Sequence, residues 1–426
     1  MGPAPATRPF VVAHWRLLLV AIAVVAFALR IAVAAKFQGL SAPPDAESNP
    51  DQLDYELFAW RVANGEGYTL ADGTPTARRP PGTSMTLLPI YELFGRDWAA
   101  GRLWFAALSA ASCLLAGLLA GELFGGAAAL LAALALCFLP GHFYYSMHFL
   151  SEVPYGFWIA LTCWLGVRLL RRVDDGAKWR AAALCTGLAF GAALLTRPQV
   201  AFAGVLVALG ALCSPAARRG ARLRAVIVVG CASALLLVPW VVRNQQALGK
   251  ATLSTIGGFT FWGANNALVA GDPDLIGGWI RIEPLIDAEH PLDGSELEND
   301  AACWRYGFEF LQSDRADVPR LLAMKVVRHY SAFRTTPNRA VYWSFAASWM
   351  VIGPLALLGA LLCLARRRAA TWIVLAPVLS TLLTALIFYG SLRFRDADAA
   401  LYVVPAAALL AGWLPARWRD ERPATP

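Results

Sequence analysis

Long apolar runs with almost no charge recur along this chain of 426 residues. A helix that crosses the hydrocarbon core of a bilayer needs about 20 predominantly apolar residues. The composition agrees, because 58% of the residues are hydrophobic and only 15% are charged, whereas about 25% charged residues is usual in a soluble domain. A soluble fold would aggregate through so much apolar surface. We therefore predict an all-α integral membrane protein.

Ten apolar segments are predicted to span the membrane. They are residues 15–35, 98–119, 124–143, 151–168, 181–196, 198–213, 222–242, 341–365, 371–389 and 398–416. The first is predicted to remain as a helix, although it resembles a cleavable signal peptide, because it is long and Arg30 interrupts its end. Residues 82–95 are apolar but short and contain Glu92, so we predict a helix that lies at the membrane interface.

Clusters of Lys and Arg separate the apolar runs and predict their orientation. The clusters contain Arg8, Arg16, Arg171, Arg172, Lys178, Arg180, Arg218, Arg219, Arg222, Arg224, Arg366–Arg368, Arg417, Arg419 and Arg422. With ten spans they all fall on one face, and Lys and Arg concentrate on the cytoplasmic face. We therefore predict a multi-pass protein of the inner (plasma) membrane with both termini in the cytoplasm. The net charge of +8 reflects these loops, and no nucleic-acid partner is predicted.

Two long polar segments then share the opposite, periplasmic face and divide the chain. Residues 1–242 form an N-terminal transmembrane module that includes a first periplasmic loop at 36–97. Residues 243–340 form a large periplasmic loop, with helical patches near 301–312 and 318–332, and residues 341–426 form the C-terminal transmembrane helices.

The first loop contains a candidate catalytic carboxylate. If residues 51–62 are helical, Asp51 and Tyr55 lie on one face, above the mouth of the helix bundle. A carboxylate there can accept a proton from an incoming hydroxyl. The loop is rich in acids, so simple solvation is an alternative interpretation, and Asp45 or Asp54 are alternatives to Asp51.

Several motifs, in order along the chain, resemble one family. They are Asp51 and Tyr55, Gly65-Glu66-Gly67-Tyr68, Gly73-Thr74-Pro75-Thr76-Ala77-Arg78-Arg79-Pro80-Pro81-Gly82, His148 to Pro154 with Glu152, Pro239 to Asn244 followed by Trp262 to Asn266, and Arg393-Phe394-Arg395. Together they resemble bacterial GT-C glycosyltransferases of the family-39-like branch, which is related to protein O-mannosyltransferases and the lipid A aminoarabinose transferase. The resemblance implies a bundle of about ten helices with two large periplasmic loops.

The resemblance also implies a reaction and a site. Such enzymes move a sugar from a polyprenyl-phosphate donor to a lipid, glycan or protein acceptor. Asp51 would be the catalytic carboxylate and Glu152 a second acid. Fixed cations stabilise a departing lipid phosphate, so we expect substrate-binding roles for Tyr55, Arg79, Arg197, Arg243, Asn265, Lys325, Arg393 and Arg395. Arg393 and Arg395 are the first choice for a phosphate clamp, unless the neighbouring Asp396 and Asp398 weaken it.

A metal site near Glu152 and two other functions are alternative interpretations of the sequence. His142 and His148 lie near Glu152 in sequence but match no standard metal spacing, so no cofactor is predicted and a divalent metal is left as an alternative. A transporter or flippase for a lipid-linked sugar would also need a basic groove. It would also be expected to hold polar groups near the bilayer midplane, where the predicted spans have almost no acids, which favours the enzyme. A non-catalytic membrane scaffold is the third reading.

Overall fold

The computed structural model describes residues 14–45, 47, 49–333, 338–365 and 369–414. Within these ranges every regular element is helical, apart from an isolated bridge between Thr69 and Pro75. The first ten helices, in chain order, are α1 (Trp15–Phe37), α2 (Asp51–Ala63), α3 (Gly82–Phe94), α4 (Trp98–Phe124), α5 (Gly126–Phe138), α6 (Pro140–Ser146), α7 (Glu152–Asp174), α8 (Arg180–Thr196), α9 (Ala201–Leu212) and α10 (Ala216–Leu248). The predicted all-α class is confirmed.

The remaining helices belong to the second polar segment and the C-terminal region. They are α11 (Gly257–Ala264), α12 (Ala267–Gly271), α13 (Glu296–Gln312), α14 (Val318–Tyr330), α15 (Arg339–Ala365), α16 (Ala369–Ile387), α17 (Leu392–Ala397) and α18 (Ala399–Trp413). Short 3-10 turns occur at Pro198–Val200 and Glu283–Leu285. The helices expected in the polar segments, at 51–62, 82–95, 301–312 and 318–332, are therefore present with slightly different bounds.

Each of the ten apolar segments is helical over most of its described residues, and the protein is a multi-pass membrane protein. Six helices (α1, α4, α7, α10, α15 and α16) are long and apolar enough to cross a bilayer. The pair α5 and α6 makes a seventh candidate, bent by 57°, and three apolar helices are shorter. The count of ten crossings, the orientation and the division into three regions remain predictions. Arg8, Arg366–Arg368, Arg417, Arg419 and Arg422 lie outside the described residues.

Small residues let the helices of the bundle approach closely. A Cβ added at Gly117 of α4 would lie 2.4 Å from Cδ2 of Leu19 on α1. One added at Gly187 of α8 would lie 2.5 Å from the carbonyl oxygen of Val229 on α10. Small residues are enriched at membrane helix contacts because apolar side chains gain little by leaving lipid for one another.

The bend between α5 and α6 follows from Pro140, which removes a backbone donor and breaks the helix. Arg30 of α1, fully buried, lies at this break. It donates hydrogen bonds of 2.6 Å to Oγ of Ser109 and 2.8 Å to Nδ1 of His142, and longer ones of 3.5 Å to the carbonyls of Leu136 and Cys137. Arg30 thus supplies donors to a broken helix end, a structural role within the bundle.

One carboxylate accepts several of the hydrogen bonds that join the two polar segments. Glu296, in the first turn of α13, accepts hydrogen bonds of 2.6 Å from Oγ1 of Thr76 and 3.0 Å from the backbone nitrogen of Ala77. It also accepts from the hydroxyl of Thr255, whose backbone nitrogen donates to the Ala77 carbonyl at 3.0 Å. This joint fixes the segment that carries Arg79.

Candidate active site

Asp51 opens α2 and is held by two arginines. Its Oδ1 lies 2.8 Å from Nη2 of Arg79, and its Oδ2 lies 3.1 Å from Nη1 of Arg393. Burial alone would raise the pKa of Asp51, but the charges and hydrogen bonds of these arginines lower it to about 2. The carboxylate is therefore ionised and fully engaged in the free protein.

Glu152 opens α7 and faces the same arginine. Its Oε1 lies 2.7 Å from Nε of Arg393 and 3.0 Å from Nη2 of Arg197. Its side chain is only 2% exposed. One guanidinium, that of Arg393, thus bridges the carboxylates of Asp51 and Glu152, and the pKa of Arg393 is raised well above its ordinary value by these charges, despite burial.

Arg79 joins the cluster to the face of α2. Its Nε donates to Oδ2 of Asp54 at 2.9 Å, and its guanidinium lies 5.8 Å from the centre of the Tyr55 ring. Asp51 and Tyr55 therefore adjoin the same cation, as expected for positions i and i+4. Burial raises the pKa of the Tyr55 hydroxyl.

Two charged atoms of this cluster have no hydrogen-bond partner among the described residues. They are Nη1 of Arg197 and Oε2 of Glu152, both buried. Arg197 follows α8, donates from Nε to Oγ of Ser151 at 3.0 Å, and lies between the rings of Tyr155 and Phe394 at 5.6 and 5.9 Å. A buried donor or acceptor atom without a hydrogen-bond partner is costly, which indicates a place for a polar ligand.

Arg395 does not join the cluster. Residues two apart on a helix face different sides, and Arg395 turns away from Arg393. It pairs with Asp396 at 2.8 Å, donates to the carbonyl of Ser331 at 2.6 Å, and lies 3.8 Å from the centre of the Trp349 ring. A clamp formed by Arg393 and Arg395 together is thus absent from the described structure.

The acids that follow Arg395 do not oppose Arg393. Asp396 pairs with Arg395, and Asp398 accepts hydrogen bonds from the hydroxyls of Tyr155 at 3.0 Å and Thr381 at 2.5 Å. The doubt that they raised about a phosphate site at Arg393 is therefore removed.

Three other predicted binding residues also lie apart from the cluster. Arg243 donates to the carbonyls of Tyr68 and Thr76. Lys325 donates from Nζ to Oδ1 of Asn265 at 2.7 Å, and burial lowers the pKa of Lys325 to about 8. These residues hold the extramembrane loops together, which sequence patterns do not distinguish from ligand binding.

The alternative of a metal near Glu152 finds no ligand set. Among the described residues no group of three or more His, Cys, Asp or Glu side chains comes together as a metal site. Nδ1 of His142 lies 2.8 Å from Arg30 and 2.9 Å from Oγ of Ser109, and the carboxylates of Asp51 and Glu152 have arginine partners.

Two residues of the site were not assigned from the sequence. Ser151 orients Arg197, and the ring of Phe394 packs on the same guanidinium. Both lie inside quoted motifs, next to Glu152 and Arg393, so adjacency to a predicted site residue was the available signal.

Comparison with known proteins agrees with this architecture. Residues 78–242 match the family described as dolichyl-phosphate-mannose-protein mannosyltransferase. The archaeal oligosaccharyltransferase AglB from Archaeoglobus fulgidus, solved with an inhibitory peptide and a dolichol-phosphate, superposes with a TM-score of 0.57 and 18% identity. The match covers 95% of this chain and 51% of that one. The fold is that of a GT-C glycosyltransferase. The resemblance inferred from the motifs is thereby confirmed.

Two further solved structures are similar to this chain. The apo form of the Archaeoglobus fulgidus oligosaccharyltransferase gives a TM-score of 0.53 at 16% identity, covering 94% of this chain and 50% of that one. ArnT from Cupriavidus metallidurans bound to undecaprenyl phosphate is more distant, with a TM-score of 0.43, 17% identity and coverages of 92% and 77%. The fold assignment rests on the oligosaccharyltransferase, of which this chain spans about half the length. Among curated proteins, none matches the chain by sequence.

Proposed function

We propose that this protein transfers a sugar from a polyprenyl-phosphate donor to a lipid, glycan or protein acceptor at the periplasmic face of the inner membrane, with both termini in the cytoplasm. The observation that carries the proposal is the buried cluster in which Arg393 bridges Asp51 and Glu152. The GT-C fold and the dolichol-phosphate in the AglB complex support it.

The arginines of the cluster suit the phosphate of such a donor. Guanidinium groups bind phosphate oxygens through paired, charge-assisted hydrogen bonds. Nη1 of Arg197 has a donor to offer without losing a partner in the described structure. We infer that Arg79 and Arg393 turn toward the same phosphate and, in doing so, loosen their contacts with Asp51. Donor binding therefore competes with the ion pairs of Asp51.

This competition activates Asp51. In the free protein a pKa of about 2 makes the carboxylate a weak base. When phosphate attracts the arginines, the influence that lowers the pKa is removed and the burial that raises it remains. Asp51 can then take the proton of the acceptor hydroxyl while the oxygen of that hydroxyl attacks the anomeric carbon of the sugar. The bond from that carbon to the phosphate oxygen breaks, and the electron pair leaves with the polyprenyl phosphate.

An apolar groove within the helix bundle can take the hydrocarbon tail of the carrier. A cavity of about 400 Å³ runs between α7, α8, α9, α10 and α16. Its lining includes Ile159, Val207, Val229 and Leu194, and Leu194 precedes Arg197 by three residues. We infer that the hydrocarbon tail of the carrier occupies this groove and that its phosphate lies beyond Leu194, at Arg197.

The test uses purified protein, radiolabelled polyprenyl-phosphate sugars and an envelope extract that supplies the acceptor. We expect Asp51→Asn to reduce labelling of the extract at least about 100-fold, a typical contribution of a general base. The variant should elute as a folded protein and unfold cooperatively, at a lower melting temperature because Arg79 and Arg393 lose a charged partner. Asp45→Asn is the matched control, because Asp45 is the alternative acid outside the cluster, and it should stay active.

Full activity of Asp51→Asn would overturn the proposal. Loss of activity in Asp45→Asn alone would assign the catalytic role to Asp45. The same variant separates the transferase from a flippase for a lipid-linked sugar, because a flippase needs no carboxylate at the outer mouth.

A further inference from the structure

Three aromatic rings form a continuous wall that leads away from the charged cluster. The wall starts at Phe394, whose ring centre is 5.9 Å from the guanidinium of Arg197. The ring of Tyr389 follows at 4.8 Å from Phe394, and the ring of Trp279 at 6.2 Å from Tyr389. We call Phe394, Tyr389 and Trp279 the aromatic wall.

The middle of the aromatic wall adjoins the proposed phosphate site. Tyr389 precedes Arg393 by four residues, and its ring lies 4.8 Å from that of Phe394, which packs on the guanidinium of Arg197. None of the hydrogen bonds or ion pairs described above for Arg393, Asp51, Arg197 and Glu152 involves Tyr389. Its ring therefore borders the cluster without contributing to the charge balance.

The outer end of the aromatic wall is rigid yet open. Trp279 is 41% exposed, but the backbone on both sides of it is fixed. The nitrogen of Ile280 donates to the carbonyl of Gly263 at 3.0 Å, and the carbonyl of Gly277 accepts from the nitrogen of Gly390 at 2.9 Å. A Cβ at Gly263 would lie 2.3 Å from Nε1 of Trp279, so the indole fits against bare backbone. A large aromatic surface is thus held ready beside the site.

We propose that Tyr389 and Trp279 stack against the sugar ring of the donor. The inference rests on the proposed function, because it needs the donor phosphate at the arginines. A sugar joined to that phosphate by one oxygen lies next to the wall that begins there. One face of a sugar ring presents C–H groups with partial positive charge, and the face of an aromatic ring carries partial negative charge. The wall therefore favours the glycosylated lipid over the bare lipid phosphate.

A competing explanation is that Trp279 anchors the protein at the membrane interface, where Trp is enriched. Trp343 in the first turns of α15 offers a matched control, because it is 60% exposed and packs on Tyr342 at 5.2 Å between ring centres. It makes no ring contact with the aromatic wall. An anchoring role predicts similar effects at both tryptophans, and a stacking role predicts an effect at Trp279 alone.

The experiment compares dissociation constants of the purified protein for undecaprenyl phosphate and for its mannose and glucose esters. We expect the wild type to bind at least one ester about tenfold more tightly than the bare lipid, a difference of about 1.4 kcal/mol. Trp279→Ala should remove this preference and leave the constant for the bare lipid unchanged. Trp279→Phe should keep most of the preference, and Trp343→Ala all of it.

Each other result is decisive. A wild type without preference for either ester, or Trp279→Ala with the preference intact, would overturn the inference. Equal weakening of all lipids by Trp279→Ala and Trp343→Ala would assign Trp279 to anchoring. Unchanged binding of the bare lipid shows that Trp279→Ala is folded. A wild type that binds no lipid phosphate would instead contradict the proposed function, and Arg393→Ala with undiminished binding of bare lipid would do the same.

Discussion

Donor binding should change the pKa of Asp51, and this change can be measured as a pH profile. The dependence of kcat/KM on pH reports groups of the free enzyme, and that of kcat reports the enzyme–substrate complex. In the free protein Arg79 and Arg393 hold the pKa of Asp51 at about 2. In the complex these arginines bind phosphate, so the pKa should rise to 3.8 or above.

The structure gives the size of the effect. A rise from about 2 to at least 3.8 is nearly two pH units, which corresponds to about 2.5 kcal/mol. That free energy is the difference between ionised and protonated Asp51 in their interaction with the two arginines. We therefore expect kcat/KM to stay flat from pH 7 to about pH 4, while kcat already declines as pH approaches 4 from above.

The assay follows initial rates of polyprenyl phosphate release from a radiolabelled donor between pH 4 and 8. The donor is a phosphodiester and does not titrate in this range. A decline of either rate profile at acidic pH therefore reports a group of the protein or of the acceptor. Asp45→Asn should keep both profiles of the wild type. If kcat and kcat/KM declined at the same acidic pH, or if kcat stayed flat to pH 4, the proposed movement of Arg79 and Arg393 from Asp51 to the donor phosphate would be refuted.

Three further changes test other parts of the structure. Arg197→Lys should weaken binding of undecaprenyl phosphate about tenfold, because one ammonium cannot pair with the acid and also present a free planar donor; unchanged affinity would exclude Arg197 from the phosphate site. Arg30→Leu should lower the free energy of unfolding in detergent by about 1–3 kcal/mol, since it strands buried acceptors, whereas Arg16→Leu on the exposed face of α1 should not. Glu296→Ala should reduce both melting temperature and transfer, and a normal transfer rate would show that the joint between the loops does not position the site. The lowered pKa of Asp51 means that its stabilisation is complete above about pH 4 and lost toward pH 2, so acid titration of Asp51→Asn should lack the corresponding step in stability.

Most helices could be predicted because the signal is local. Residues 98–119 were expected and α4 runs from Trp98 to Phe124, since span length and composition alone define such an element. The bounds differ where a helix continues beyond the membrane core, as in α10 (Ala216–Leu248), which extends the predicted segment 222–242 at both ends. The apolar sequence pattern ends where the helix leaves the membrane core, but the backbone hydrogen bonds of the helix continue beyond that point.

The site could be predicted only in part, because long-range packing decides which charges meet. Asp51 and Tyr55 share a face of α2, as the helix period predicts, but Arg79 lies 28 residues after Asp51 and outside that helix, so its contact with Asp51 depends on how the first loop folds. The separation of Arg393 from Arg395 also follows from that period and was available from the sequence. The pairing of Lys325 with Asn265 depends on how α14 packs against the end of α11, and no local sequence pattern predicts that packing. The aromatic wall, likewise, joins residues 110 positions apart, Trp279 and Tyr389.

The single guanidinium that links Asp51 to Glu152 has a consequence for biosynthesis. Arg393 is 342 residues from Asp51 and 241 from Glu152, so both acids are translated long before their shared counter-ion. A nascent chain that stops before the last helices would contain Arg79 and Arg197, the separate partners of Asp51 and Glu152, but would lack the one cation that bridges the two acids. Premature termination anywhere before residue 393 would therefore leave the catalytic centre unformed, however well the earlier helices had inserted.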